Sequence, residues 1–316
     1  MVRDAASIDR LTVDASIVIP CYNAEETIDA ALTRILDQAM GRSVEVLVCD
    51  NGSTDRTLEV VRAIPAGDTP LHVVDASAER GAAAARNSGA RAAVGRLLVF
   101  VDADDLVGPG WLDGLLNAPR GEAILAGAVD EWSLARFPTW RASSTPFRPP
   151  TTIRGRVFAI SANCAVPRSL FLGLGGFQSN CGGGVGEDVD LSWRAQELGY
   201  PIHFVADSLV LKRPRATRRG LFVQWANYGR SAAVLSRRFV EPADPPSARR
   251  QDAVTPAGTV REVLSCLAHP IRNQGVFIQG LGLAWGWGDE ELRRLLRRRR
   301  RRAWLPLPRA PGRSSP

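Results

Sequence analysis

Two short acidic stretches hold the residue types that could do chemistry. "VDADD" (101–105) puts Asp102, Asp104 and Asp105 at the end of an apolar run. Neighbouring carboxylates resist joint ionisation, because like charges disfavour it. A hard divalent cation removes that cost and also grips phosphate oxygens; a solvated acidic turn is the plainer alternative. "GGGVGEDVDLSWR" (182–194) puts Glu187, Asp188 and Asp190 between a glycine run and a helical pattern. Acids suit a helix N-terminus, where the dipole favours negative charge. A carboxylate there could equally take a proton from an attacking hydroxyl as general base. Local sequence leaves both readings open.

Such groups need a scaffold to position them. "ASIVIP" (15–20), "VEVLVCD" (44–50), "LHVVDA" (71–76) and "RLLVFVDADD" (96–105) read as short buried strands. Between them, 24–38 has apolar residues at helical spacing, 53–64 reads as a helix capped by Ser53, and 81–93 reads as a third helix. Strand–helix alternation implies a parallel sheet with right-handed crossovers. Ligands then bind beyond the carboxyl ends of the strands, which selects Cys21 to Asn23, Asp50–Asn51 and Asp102 to Asp105. Past residue 120 the rhythm changes. A strand is expected in 122–132 and a Pro-rich loop over the site at 136–152. Residues 157–177 read as a strand, a proline-started helix and a turn. Residues 187–199 read as a helix closed by Gly199, 201–212 as one or two strands, and 216 onward as mainly helix, broken by a linker at 241–250.

The phosphate-cradling glycine motifs are missing. "CYNAEE" follows the first strand in place of G-x-G-x-x-G, and no Walker A pattern occurs. That argues against a nicotinamide-dependent dehydrogenase and against a nucleotidylyltransferase. Between 289 and 316, ten arginines face three acids, which equals the net charge of +7 for all 316 residues. The body of the chain is therefore neutral, unlike a nucleic-acid enzyme with a broad basic face. Five cysteines without a CxxC pair suggest a reducing compartment. The first 14 residues lack an apolar signal core, and no 18-residue apolar run occurs. A cytoplasmic location is expected.

Six segments occur in order: "SIVIPCYNAEETI", "VLVCDNGSTD", "GAAAARNSG", "FVDADD" with "GPGWL", "GGF", and "GEDVDLSWR". Together they resemble the family-2 glycosyltransferases of the GT-A fold, over about residues 14–213. The resemblance implies an α/β fold with a Rossmann-like, mostly parallel sheet. It also implies a nucleotide-diphosphate sugar donor, Mn or Mg as cofactor, and inversion at the anomeric carbon. UDP is favoured as the nucleotide, with GDP and dTDP open. Carried over by motif, Pro20, Tyr22, Asn23 and Glu25 should lie along the base and ribose, and Asp50 should accept a hydrogen bond from the base. Arg86 and Asn87 should help hold the nucleotide. Asp102 should face the ribose and Asp104 the metal, with Asp102 assisting as a ligand. Asp188 becomes the general base, Glu187 an acceptor-side residue and Asp190 a structural or helix-start acid; Trp193 is read as core, the commoner role, or as an acceptor-side platform.

One departure stands out. Many relatives carry a metal-binding His after the last strand; here Lys212, the only lysine in the chain, is near that place. A protonated lysine cannot ligate a metal, but it can contact a diphosphate. The expected organisation is a lead at 1–13 and a catalytic domain at 14–215, divided into donor (14–118) and acceptor (119–215) halves. A helical extension (216–288) and a basic, partly disordered tail (289–316) follow. Trp225, Tyr228 and Arg230 would line the acceptor entrance or serve as packing. A saccharide, lipid-linked or small-molecule acceptor is expected. The arginine-rich tail would touch anionic membrane or stay solvated. A catalytically silent partner of another transferase is the rival reading.

Overall fold

An unbroken apolar run makes β1 (Ala15–Cys21) a strand buried on both faces. β2 (Val44–Asp50) is buried along its whole length. The computed structural model describes residues 13–119, 121–130, 134, 156–182, 184–239, 282, 285, 286 and 288–290. The expected lead (but for residue 13), the 136–152 loop, the 241–250 linker and nearly all of the basic tail lie outside the described residues.

The N-terminal part of the chain alternates strand and helix as expected. α1 (Ile28–Ala39), β2, α2 (Thr57–Ala63), β3 (Leu71–Asp75), α3 (Ala82–Ala92) and β4 (Leu97–Val101) follow β1. The strands pair in parallel in the order β3-β2-β1-β4. Ile28, Leu32, Ile35 and Leu36 are the buried face of α1. One expectation fails: Ser53 does not cap α2, which begins at Thr57 without a side-chain cap at its N-cap residue. Ser53 instead accepts the Asn23 N–H across the cleft at 3.0 Å.

β5 (Leu106–Val107), α4 (Trp111–Leu116), β6 (Ile124–Asp130), β7 (Asn163–Pro167), α5 (Arg168–Gly173), α6 (Glu187–Glu197), β8 (Ile202–Leu211) and α7 (Arg218–Arg238) complete the described elements. β7 inserts antiparallel between β4 and β6, while β8 runs parallel to β6, extending the sheet to eight strands. The result is a mixed, mostly parallel α/β sheet with helices packed on it.

Asn163 locks this junction. Its Oδ1 accepts the Trp111 indole N–H at 2.8 Å, and its Nδ2 donates to the carbonyls of Ala128 (2.7 Å) and Ser208 (2.8 Å), all in buried residues. Asn163→Ala would leave a buried donor and two carbonyls unpaired, at about 1–3 kcal/mol for each such group. Denaturant titration should therefore show a stability loss on the order of 3 kcal/mol; a loss within noise would mean that water or repacking replaces the hub.

Candidate active site

β1, β2 and β4 end at one edge of the sheet, and a cleft of about 860 Å³ opens there. Pro20, Tyr22, Asn23 and Glu25 line it just after β1, together with Asn51, Gly52 and Asp55 after β2. Arg86 from α3 and Asp102 and Asp104 after β4 form further parts of its wall. Seven residues picked from sequence are thus gathered in one place. Tyr22 is 56% exposed, its ring available to a ligand. Asn23 takes a left-handed conformation (φ +47°), and its Oδ1 accepts the Thr54 N–H at 2.8 Å. Glu25 accepts the Arg56 N–H at 2.9 Å. These bonds join the loops after β1 and β2 into one rim. Asp50 lies beneath that rim, buried, with its carboxylate turned to the Gly52 and Ser53 amides.

The cleft floor is a ladder of alternating charges. Arg86, whose side chain is only 4% exposed, donates to Asp102 Oδ1 at 2.6 Å and to Glu187 Oε1 at 2.9 Å. Its guanidinium also lies 5.7 Å from the Phe177 ring centre. Lys212 Nζ lies 3.2 Å from Asp102 Oδ2 and 3.5 Å from Asp105 Oδ2. Burial would raise the Asp102 pKa, but Lys212 and Arg86 hold it well below the usual carboxylate range. Burial and the Asp102 charge push Asp104 upward. Burial, more than its acidic neighbours, raises Asp105 to about 7 against the pull of Lys212. The ligand oxygens of Asp102, Asp104 and Asp105 lie within 4.8 Å of one another. Asp105 Oδ2 is buried without a hydrogen-bond partner. Three hard oxygen donors, one of them ion-paired to Lys212 but without a hydrogen bond, fit a divalent cation of the Mg or Mn type.

Joined to the floor through Arg86 is α6, whose N-cap Gly186 has a φ of +88°. A Cβ there would meet Ser231 Oγ of α7 at 1.9 Å, so glycine is demanded by both backbone and space. Asp188 in the first turn accepts the Ser161 N–H at 3.1 Å on Oδ2. Glu187 is buried, and burial and Asp188 raise its pKa against Arg86. Asp190, fully buried, joins Arg194 of its own helix at 2.7 Å to Arg238 of α7. Arg238 in turn donates to Asn180 at 2.9 Å.

Three sequence expectations need correcting. Trp193 is 2% exposed and packs edge-on against Phe239, 5.2 Å between ring centres, in the core rather than toward an acceptor. Asn87 does not reach the cleft; its amide pairs with both the N–H and the carbonyl of Phe177. Lys212 does not line the cleft; its ammonium is taken by Asp102 and Asp105. Trp225 and Tyr228 meet edge to face, 5.4 Å between ring centres, and Arg230 pairs with Asp289 at 2.8 Å. Sequence reasoning passed over Arg80, Arg213 and Arg215, which line the cleft, and Ser161, which orients Asp188. Arg213 and Arg215 could have been found, since "KRPR" directly follows a strand ending at this edge.

The chain matches the model of the family described as Glycosyl transferase family 2 over residues 16–172. It is 30% identical to glycosyltransferase AglE of Haloferax volcanii, covering 61% of this chain and 64% of that protein. It is 28% identical to the validoxylamine A glucosyltransferase of Streptomyces hygroscopicus subsp. limoneus, over 63% of this chain and 51% of that one. The chain thus spans about half to two thirds of the length of these curated relatives. In fold it resembles the mannosyltransferase PcManGT from Pyrobaculum calidifontis in complex with GDP-Man and Mn2+, with a TM-score of 0.57, 22% identity and 86% of each chain covered.

Proposed function

We propose that this chain, which belongs to glycosyl transferase family 2 and has the GT-A fold, moves a sugar from a nucleotide-diphosphate donor to an acceptor hydroxyl with inversion. The observation that carries this reading is the Arg86 bridge, which ties the acid floor of the cleft to the helix bearing Glu187 and Asp188. A donor half and an acceptor half are thereby held in fixed register.

Tyr22 stacks on the base, and the rim of Asn23 and Glu25 holds the nucleoside. Asp188, oriented by the Ser161 amide, takes the proton of the acceptor hydroxyl as it attacks the anomeric carbon. The attack comes from the face opposite the leaving diphosphate, which inverts the configuration. When bound by Asp104 with an oxygen of Asp102 or Asp105, a divalent metal supplies charge neutralisation on the departing diphosphate. The acceptor is a saccharide, a lipid-linked saccharide or a hydroxylated small molecule. The relatives named for glucosyl and mannosyl transfer make UDP-glucose and GDP-mannose the first donors to try.

A thermal-shift panel of nucleotide sugars with Mn2+, followed by a transfer assay on the hits, tests the proposal. Stabilisation by at least one donor is expected, and no shift across the panel would sink it. Tyr22→Ala should weaken nucleotide binding by about tenfold, given base–aromatic stacking of roughly 1–3 kcal/mol. Calorimetry checks this; unchanged affinity would remove Tyr22 from the base site.

A further inference from the structure

The acid cluster on the cleft floor comes with its own cations, and they arrive on one short segment. Lys212, the only lysine in the chain, lies one residue past the end of β8. Its amide donates to the Asp130 carbonyl at 2.7 Å, so the pairing of β6 with β8 sets its place. Its ammonium is ion-paired to Asp102 and Asp105 and does not line the cleft itself. Arg213 donates its main-chain N–H to Asp105 Oδ1 at 2.8 Å and its Nε–H to the Asp104 carbonyl at 3.1 Å. Arg213 and Arg215 are both exposed and both line the cleft beside Asp104.

Lys212 is thus ion-paired to Asp102 and Asp105, Arg86 holds Asp102 as well, and Arg213 and Arg215 line the cleft beside Asp104 within the same four-residue segment. A bare acid cluster would repel a diphosphate until an external cation arrived. Here the neutralising charge is covalently part of the chain. Two guanidiniums also stand on the wall, where charge-assisted hydrogen bonds to phosphate oxygens can form.

We propose that the Lys212–Arg215 segment lets a nucleoside diphosphate bind without a divalent metal. Lys212 is a positioning residue that neutralises Asp102 and Asp105, and Arg213 and Arg215 contact the diphosphate. The inference rests on the glycosyl-transfer reading and adds that metal serves the transfer step rather than nucleotide capture.

The test titrates UDP and GDP calorimetrically into the full chain, in EDTA and in Mn2+. A nucleotide that binds in Mn2+ should bind in EDTA with affinity within about tenfold. Arg215→Ala should cost about tenfold or more in EDTA, the loss of a charge-assisted contact. Lys212→Met should lose a similar factor in EDTA and recover it on adding Mn2+, and Lys212→Arg should retain binding. Mn2+ alone, followed by paramagnetic resonance, should bind Lys212→Met more tightly than the parent, because the competing ammonium is gone.

Selective 13C-lysine labelling marks this one position in the unmodified chain. Its Cε signal should shift when UDP is added in EDTA. Nucleotide binding that appears only with Mn2+ overturns the inference and leaves the transferase reading intact. A bound nucleotide with an unmoved lysine signal, or Lys212→Met binding like the parent in EDTA, overturns the part given to Lys212. Absence of nucleotide binding in both conditions overturns the transferase reading, and this inference with it.

Discussion

Asp188→Asn is expected to lower turnover by about 10²–10⁴-fold, the range contributed by a positioned general base. Nucleotide affinity should change by less than about threefold, since the proposed role of the residue is on the acceptor and not the donor. The substitution is close to isosteric. An asparagine Oδ1 can still accept the Ser161 N–H that holds Asp188 Oδ2 at 3.1 Å. The α6 helix keeps its other anchors, Glu187 on Arg86 and Asp190 on Arg194 and Arg238. What disappears is the ability to take a proton. Initial rates of nucleotide release with acceptor present, set beside calorimetric nucleotide binding, measure both halves. Turnover near that of the parent would remove Asp188 from the role of base. Equal loss of rate and nucleotide affinity would point to a disturbed helix instead.

The donor half was readable in sequence because its determinants are local. β2 is buried over its whole length, so "VEVLVCD" declares a strand with the right bounds. The rule that ligands gather beyond strand ends already selects Tyr22, Asn23, Asn51, Asp102 and Asp104, which line one cleft. The misreadings share a different cause: each residue has a partner far away in the chain. Ser53 looks like a helix cap, yet its hydroxyl serves Asn23, 30 residues earlier. Asn87 looks like a nucleotide contact, yet its amide is used on Phe177, 90 residues later. Lys212 looks free to meet a phosphate, yet Asp102, 110 residues away, already holds it. Trp193 sits on a helix whose buried face is visible only once α7 is in place. Insertion of β7 between β4 and β6 is likewise invisible to periodicity, because strand order depends on pairing across the fold.

Arg86→Met is expected to be the most damaging single change to both stability and activity. Arg86 is 4% exposed, while Asp102 and Glu187, at 21% and 12%, are also largely withdrawn from water. Removing one member of a buried pair leaves an uncompensated charge and costs about 3–5 kcal/mol. For a domain of this size that corresponds to a fall in melting temperature on the order of 10 °C. Asp102 keeps Lys212, so the heavier burden falls on Glu187, which then faces Asp188 without a cation. A double-mutant cycle with Glu187→Gln separates this electrostatic cause from simple loss of packing. If the orphaned carboxylate is the cause, the double variant should be more stable than Arg86→Met alone, with a coupling of about 1–3 kcal/mol. It should still be inactive, because the donor floor and the base-bearing helix would no longer share a rigid link. Arg86→Lys should not restore turnover, since a single ammonium cannot reproduce the planar fork that reaches both carboxylates. Additive stabilities in the cycle, or an active Arg86→Lys variant, would refute the bridge as the element that keeps the two halves of the site in register.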